Sequence, residues 1–513
     1  MTVLRFKRIF CGSFVESDGA SQAVFTFLLI PCCLTLDFRA PPLIPNVPFL
    51  WAWNAPTEHC LGKFNKPIDL SLFSLMGSPR KNKTGQGVTI FYANRLGYYP
   101  YINAKGTDVN GGIPPKGSLQ DHLDKARNDI INYMPTDSVG LAVIDWEEWR
   151  PTWARNWKPK DVYKNRSVEL VQEQNIQLNF QQATKIAKAE FEKAAKSFMQ
   201  ETLKLGKSLR PNHVWGYYLF PDCYNHNYYQ PNFNGSCFDI EKKRNDDLNW
   251  LWKESSALFP SIYLNSNKSS QEALLYVRNR VHEAIRVSKV PGAERPLPVF
   301  VYSRLDFSDQ VLKYLSQDDL VNTLGESVAL GASGIVIWGS LTIMQNMTSC
   351  LNLDNYMKTT LNPYIINVTL AAKMCSQVLC QEQGVCTRKD WNSSDYLHLN
   401  PENFAIQIGK GGKYIVLGNP TREDLQEFSD KFHCSCYPTF SCDEREDMED
   451  ISVNVCIADD VCIDAALTSK SSHQPSSWNE KSFTSHHISS STQSGTMFFV
   501  NILFFTISFS VNL

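Results

Sequence analysis

Three carboxylates follow an apolar run in Leu141-Ala-Val-Ile-Asp145-Trp146-Glu147-Glu148-Trp149-Arg150. Read as a strand, the run places Asp145 and Glu147 on one side and Glu148 on the other, because side chains alternate. Two carboxyl groups side by side in an aromatic setting resist double ionisation. One pKa should rise, giving a proton donor at a pH where its neighbour is charged. Cleavage of a glycosidic bond needs such a pair. An acidic loop on a solvated rim would show the same pattern. Residues two apart on a strand lie roughly 6–7 Å apart at the backbone. Carboxylates can lean, so this spacing alone does not separate retention from inversion.

Such a pair must be held by rigid elements. Apolar runs rich in Val, Ile, Phe, Tyr and Trp occur at Pro48–Trp53, Val88–Tyr92, Leu141–Trp149, Val214–Phe220, Ser261–Leu264, Pro298–Tyr302 and Gly334–Trp338. Most lack strict alternation, as parallel strands buried on both faces do. Helical patterns separate them. The clearest spans about 167–209, with Ala187, Phe191, Ala194, Phe198 and Leu205 on one stripe. Asp121–Met134, Gln271–Val287 and Leu320–Leu330 are shorter examples. This alternation predicts an α/β fold, a distorted TIM-like (β/α) barrel of seven strands over 36–370, whose C-terminal strand ends carry the chemistry. A doubly wound open sheet would alternate likewise, but no Gly-rich nucleotide loop follows the first strand.

The 513 residues are 43% apolar and 20% charged, as in a globular chain. A formal charge of −2 excludes a globally basic nucleic-acid binder, and no nucleic-acid partner is expected. The 12 Trp and 20 Tyr suit a carbohydrate cleft, although core packing accounts for most such rings.

Both ends read as processing signals. Arg5, Lys7 and Arg8 precede the apolar Val24–Leu36, so residues 1–35 are expected to be a signal peptide, with an uncleaved anchor as the alternative. Uncharged Met497–Leu513 follows the small polar residues Ser489–Thr496. Residues 491–513 therefore read as a glycosylphosphatidylinositol-attachment signal, with a membrane-spanning tail as the alternative. Seven sequons, at Asn82, Asn165, Asn234, Asn267, Asn346, Asn367 and Asn392, agree with secretion and mark candidate N-glycosylation sites.

Cysteine usage sets 371–445 apart, with Cys375-x4-Cys380-x5-Cys386 and then Cys434-x-Cys436-x5-Cys442. Six cysteines allow fifteen connectivities. Zinc at Cys434-x-Cys436 is conceivable, but an oxidising compartment favours disulfides. The C-x-C-x5-C ending resembles an epidermal-growth-factor-like (EGF-like) module. That resemblance implies the pairs Cys375–Cys386, Cys380–Cys434 and Cys436–Cys442. Residues 446–490 read as an acidic, Ser-rich stalk with a local Cys456–Cys462 bond.

The run Val143-Ile-Asp145-Trp-Glu147-Glu-Trp149-Arg-Pro-Thr-Trp153 resembles the active-site segment of the hyaluronidases, glycoside hydrolases built on a distorted βα barrel. Phe91-Tyr92, Leu96-Gly-Tyr-Tyr-Pro-Tyr101, Trp215-Gly-Tyr-Tyr218-Leu-Phe-Pro-Asp-Cys223-Tyr-Asn225, Leu251-Trp252, Tyr263 and Gly334-Ile-Val-Ile-Trp338-Gly339 agree with it. The resemblance covers about residues 40–445. It implies that Glu147 is the proton donor and Asp145 its partner, with the substrate's own acetamido oxygen as nucleophile. It implies that Tyr263 positions the acetamido group, that Tyr218 lines the cleavage subsite, and that Tyr92, Asp309 and Trp338 complete the pocket. Cys60–Cys350 and Cys223–Cys237 would be the barrel disulfides.

The implied substrate is hyaluronan, with chondroitin or a chitin-like polymer as alternatives. Arg95, Arg150, Arg155 and Lys158 are candidate cations for the polyanion. No metal-ligand cluster stands out among the ten His, and neither a metal nor a cofactor is expected. With the lipid-anchor tail, the resemblance runs towards members carried on the sperm surface. It implies a membrane partner through the anchor and an egg-coat glycoprotein as a second ligand. An adhesion protein that binds without cutting is the competing reading.

Overall fold

Alternate residues of the parallel strands feed two separate cores. In β1 (Leu50–Asn54), Leu50 and Ala52 join an inner cluster while Trp51 and Trp53 join an outer one. The same division holds in β3 (Val88–Tyr92), β4 (Gly140–Asp145), β6 (Phe300–Ser303) and β7 (Gly334–Trp338). Strands buried on both faces have no polar face to show, so their sequences read as continuous apolar runs. The computed structural model describes residues 37–438 and, from 442 to 468, all but 446, 449, 459 and 460. The expected signal peptide, the lipid-anchor signal and the stalk beyond 468 lie outside the described residues.

β2 (Leu75–Gly77) pairs with β1, β1 with β7, and β7 with β6, all parallel. A second parallel sheet runs β3, β4, β5, with β5 spanning His213–Tyr217. Backbone hydrogen bonds join the two sheets at both edges. Gly87 N–H reaches Met76 O at 3.0 Å on one side. On the other, residues 256–262 bond to both neighbours, with Ser256 N–H on Trp215 O at 2.8 Å and Phe300 N–H on Leu258 O at 2.9 Å.

That linking stretch was expected as a regular strand at Ser261–Leu264. It forms isolated bridges at Leu258, Phe259 and Ser261 instead. Pro260, which has no N–H, interrupts the ladder. β2 is only three residues long and left no readable run.

The predicted helix over 167–209 is two helices, Asp161–Gln174 and Phe180–Leu209. Asn179 and Gln182 form a capping box that starts the second. Its buried stripe uses Ala195, with Ala194 and Leu205 only half-buried.

Six disulfides form: Cys60–Cys350, Cys223–Cys237, Cys375–Cys386, Cys380–Cys434, Cys436–Cys442 and Cys456–Cys462. The expected boundary at 370/371 falls inside the helix Asn362–Cys380, which carries Cys375 and Cys380. Its apolar faces are buried along its length, so the cysteine-rich region continues from the preceding fold without a linker. β8 (Gly384–Arg388) and β11 (Phe432–Cys436) pair antiparallel, with Cys386 opposite Cys434. The long insert between them holds a hairpin of β9 (Phe404–Ile408) and β10 (Tyr414–Gly418), then the helix Arg422–Lys431.

The expected stalk is structured over its first part. β12 (Ile451–Ala458) and β13 (Val461–Leu467) form an antiparallel hairpin. It docks on the helix Asn362–Cys380 through Lys373 Nζ to Cys456 O at 2.7 Å and Asn454 N–H to Gln377 Oε1 at 3.0 Å. Ile451, Val453, Val455, Val461 and Ile463 are buried, the period-two pattern of a half-covered hairpin.

Candidate active site

Several inward-facing series run past their apolar residues into polar or aromatic side chains at the C-terminal strand ends. Val88 and Ile90 lead to Tyr92, Leu141 and Val143 to Asp145, and Val336 to Trp338. Tyr218 and Tyr263, after β5 and the 256–262 stretch, pack on the same inner cluster. All five are half-buried. Tyr92 sits in register with Asp145, and Asn54 with Trp338.

Direct contacts link them into an arc. Trp338 Nε1 donates to the Tyr92 hydroxyl at 3.0 Å. The Trp338 ring lies 6.1 Å from that of Tyr263, which lies 6.1 Å from that of Tyr218. Tyr218 donates its hydroxyl to Ser261 Oγ at 3.1 Å. Burial pushes the Tyr92 hydroxyl up to about 12 and the Tyr263 hydroxyl well above its ordinary value. Both stay protonated at neutral pH as hydrogen-bond donors.

β4 ends at Asp145 rather than at Trp149. Burial first, then the charges of Glu147 and Glu148, hold the Asp145 carboxyl well above the usual carboxylate range. Of the expected pair, the carboxyl buried at the strand end is thus Asp145, while the Glu147 side chain is 49% exposed. Arg150 reaches Glu147 twice, at 2.9 Å from its carbonyl and 3.4 Å from its carboxylate. Lys160 also donates to the Glu147 carbonyl. Glu148 folds back to accept the Glu147 N–H at 3.2 Å, and burial raises its pKa. Trp146 points to the outer core, stacked 4.4 Å from Tyr99. The buried Asp145 carboxyl and the exposed Glu147 side chain, held by Arg150, thus sit in different environments, as acid–base chemistry requires of such a pair.

Not every expected residue joins the arc. Asp309 is exposed, and its carboxylate accepts from Ser266 N–H at 2.8 Å and Ser266 Oγ at 2.6 Å. The acid beside the arc is Asp306, which is buried and 2.8 Å from Arg304 Nη2. Arg304 lies over the rings of Trp338 and Tyr263, at 5.3 and 5.9 Å. Sequence reasoning missed it, although it directly follows the end of β6. Arg155 is no cleft cation: it is buried against Glu241 at 2.9 Å and Asn245 at 3.0 Å. Arg150 serves Glu147 rather than solvent, and Lys158 is exposed.

A cavity of about 500 Å³ opens beside Tyr92 and Trp338, walled also by Arg80, Lys81, Asn82 and Arg95. Of the sequons, Asn82, Asn165, Asn234, Asn267, Asn346 and Asn392 are exposed. Asn367 is half-buried, with its Oδ1 accepting from Leu399 N–H at 3.1 Å.

Comparison with known proteins places relatives around this geometry. The family model described as hyaluronidase matches residues 38–447. Hyaluronidase PH-20 of Macaca fascicularis is 71% identical over 510 residues, 99% of each chain. Hyaluronidase-4 of Homo sapiens is 48% identical over 425 residues, 82% of this chain and 88% of that one. The crystal structure of bee venom hyaluronidase in complex with a hyaluronic acid tetramer superposes with a TM-score of 0.54 at 33% identity, covering 62% of this chain and 98% of that one.

Proposed function

This chain belongs to the hyaluronidase family, and from that premise we propose how its strand-end residues cut hyaluronan. It is a glycoside hydrolase acting on that polymer. The reaction is an endo-cleavage of the β-1,4 bond by substrate-assisted catalysis. The acetamido oxygen attacks C1 of its own sugar as the bond from C1 to the next sugar breaks. Glu147 gives its proton to the leaving oxygen. The positive charge of the oxazolinium-like intermediate faces Asp145. Glu147, now a carboxylate, takes a proton from water, which adds to C1 and reopens the ring. Two inversions at C1 give retention.

Asp145 must be ionised to accept the acetamido N–H and to face the cation. Burial and like charges oppose that ionisation in the empty site. A cation beside it favours the carboxylate again, so Asp145 binds the intermediate more strongly than the resting sugar. Tyr263, held protonated by burial, orients the acetamido group.

The observation that carries this reading is the convergence of Tyr92, Asp145, Tyr218, Tyr263 and Trp338 at one end of parallel strands. Product sizing on hyaluronan, chondroitin and chitin oligomers tests it. Shortened hyaluronan with N-acetylglucosamine at the new reducing end is expected. Partly de-N-acetylated hyaluronan should be cut only where the donor sugar keeps its acetyl group. Binding without any product would support the adhesion reading instead.

In this reading the two sheets and the linking stretch 256–262 close into one distorted (β/α) barrel, and 371–445 is an EGF-like module with a long insert. The protein is secreted, lipid-anchored at the plasma membrane of sperm, and aids passage through the egg's hyaluronan-rich coat. An egg-coat glycoprotein is its second ligand.

A further inference from the structure

The arginines around the site are, with one exception, matched to acids. Arg150 faces Glu147, Arg155 faces Glu241, Arg280 faces Asp222 and Arg304 faces Asp306. Arg95 is the exception. Among the described residues its side chain has no ion pair and no hydrogen bond, and its Nε is buried without a partner. Its guanidinium lies 4.6 Å over the Tyr92 ring and lines the cavity beside Trp338. Burial lowers its pKa, and the charge of Asp145 offsets this only in part. A half-buried guanidinium with no direct partner costs free energy that a ligand carboxylate in contact with it would offset.

The cavity fits a sugar-sized ligand. Its volume of about 500 Å³ lies within the range of about 300–1,000 Å³ usual for small-molecule pockets. Lys81 adds positive charge to its wall, while Arg80, also on the wall, is paired with Glu58 at 3.6 Å. It adjoins the reacting centre, because Tyr92 pairs in register with Asp145 and bonds to Trp338. In an alternating polymer, each N-acetylglucosamine placed at Asp145 and Glu147 has a glucuronate on either side.

We propose that this cavity is a uronate subsite in which Arg95 binds the carboxylate of the glucuronate flanking the cleaved sugar. The inference rests on hyaluronan being the substrate. A guanidinium fork matches a carboxylate bidentately. The subsite would make Arg95 a determinant of preference for uronate-containing polymers.

The test compares wild type with Arg95→Gln on hyaluronan and on carboxyl-reduced hyaluronan, in which glucose replaces glucuronate. On hyaluronan, Arg95→Gln should lose about tenfold in kcat/KM, mostly through KM, as loss of one charge-assisted contact implies. On the reduced polymer, wild type and variant should agree within about twofold. Arg95→Lys should recover part of the loss on hyaluronan only. Equal losses on both polymers, or no loss on hyaluronan, would overturn the proposal. Asn82→Gln serves as a second variant, since its sequon stands on the cavity wall. If Asn82→Gln, with Arg95 intact, loses activity on hyaluronan alone as Arg95→Gln does, the uronate preference is not set by Arg95 and the proposal fails. Wild type inactive on hyaluronan would sink the parent reading, and this proposal with it, in the same assay.

Discussion

The indole N–H of Trp338 and the hydroxyl of Tyr92 meet at 3.0 Å across 246 positions of sequence. The bond joins the ends of strands in the two separate sheets, and Tyr92 in turn stands beside Asp145. It therefore fixes one wall of the site against the other. Tyr92→Phe leaves the indole N–H unpaired in a half-buried place. Such a loss costs roughly 1–2 kcal/mol of stability, and the loosened wall should lower kcat/KM as well. A lowered thermal midpoint, together with steady-state kinetics, checks this.

The raised Asp145 carboxyl predicts an acid limb in the pH profile, because the ionised form is needed to face the cation. Glu148 is one of the charges that raise it. Removing that charge lowers the Asp145 pKa, so Glu148→Gln should carry the acid limb of kcat/KM to lower pH. The plateau activity should change little. An acid limb that stays in place, or moves upward, contradicts the assignment.

The same residue makes a stability prediction. A carboxyl raised on folding binds its proton more tightly in the folded state. Stability is therefore lost as pH rises from the unfolded carboxylate value towards the folded one. Asp145→Asn removes that loss. The variant should match wild type in acid and melt at a higher temperature near neutral pH, while being inactive. Thermal midpoints across pH show whether the gap opens in that direction.

Glu326 is fully buried between Arg278 at 2.7 Å and Arg388 at 2.9 Å. Arg388 lies on β8 of the cysteine-rich region, and Glu326 and Arg278 lie on helices of the preceding fold. Glu326→Gln leaves two buried guanidinium groups short of their counter-charge and should cost about 3–5 kcal/mol. Reduced secretion and a lowered thermal midpoint are the expected readouts.

A lipid anchor predicts that phosphatidylinositol-specific phospholipase releases active enzyme from cells expressing the full chain. Truncation before Ser489 should send the enzyme to the medium. Recovery of the Met497–Leu513 peptide from mature protein that resists the lipase would identify a spanning tail instead.

Several expected residues were legible because the inward series of their strands ends in a chemically different side chain. Leu141–Asp145 and Gly334–Trp338 announce themselves as apolar runs that stop at a chemically different side chain. Asp309, expected only from the resemblance, is exposed and bonded to Ser266, while Asp306, three residues earlier, is the acid buried against Arg304; pattern does not separate two acids in one loop. Arg155 was legible as a cation but not as a buried one, since Glu241 lies 86 positions away. The hairpin at 451–467 has a clear alternation in Ile451, Val453 and Val455, but it lies between an acidic stretch and a Ser-rich one, and composition hid it. Pro260 broke the strand that the run at Ser261–Leu264 promised.

The central claim is that Glu147 donates the proton, and Glu147→Gln tests it most directly. The amide keeps the shape and can still face Arg150, but it cannot protonate the leaving oxygen. General acid catalysis contributes about 10²–10⁴-fold. The variant should therefore be secreted and folded, with hyaluronan cleavage reduced by about that factor. Retention of more than about a tenth of wild-type cleavage would contradict the account, being too much for an enzyme without its acid.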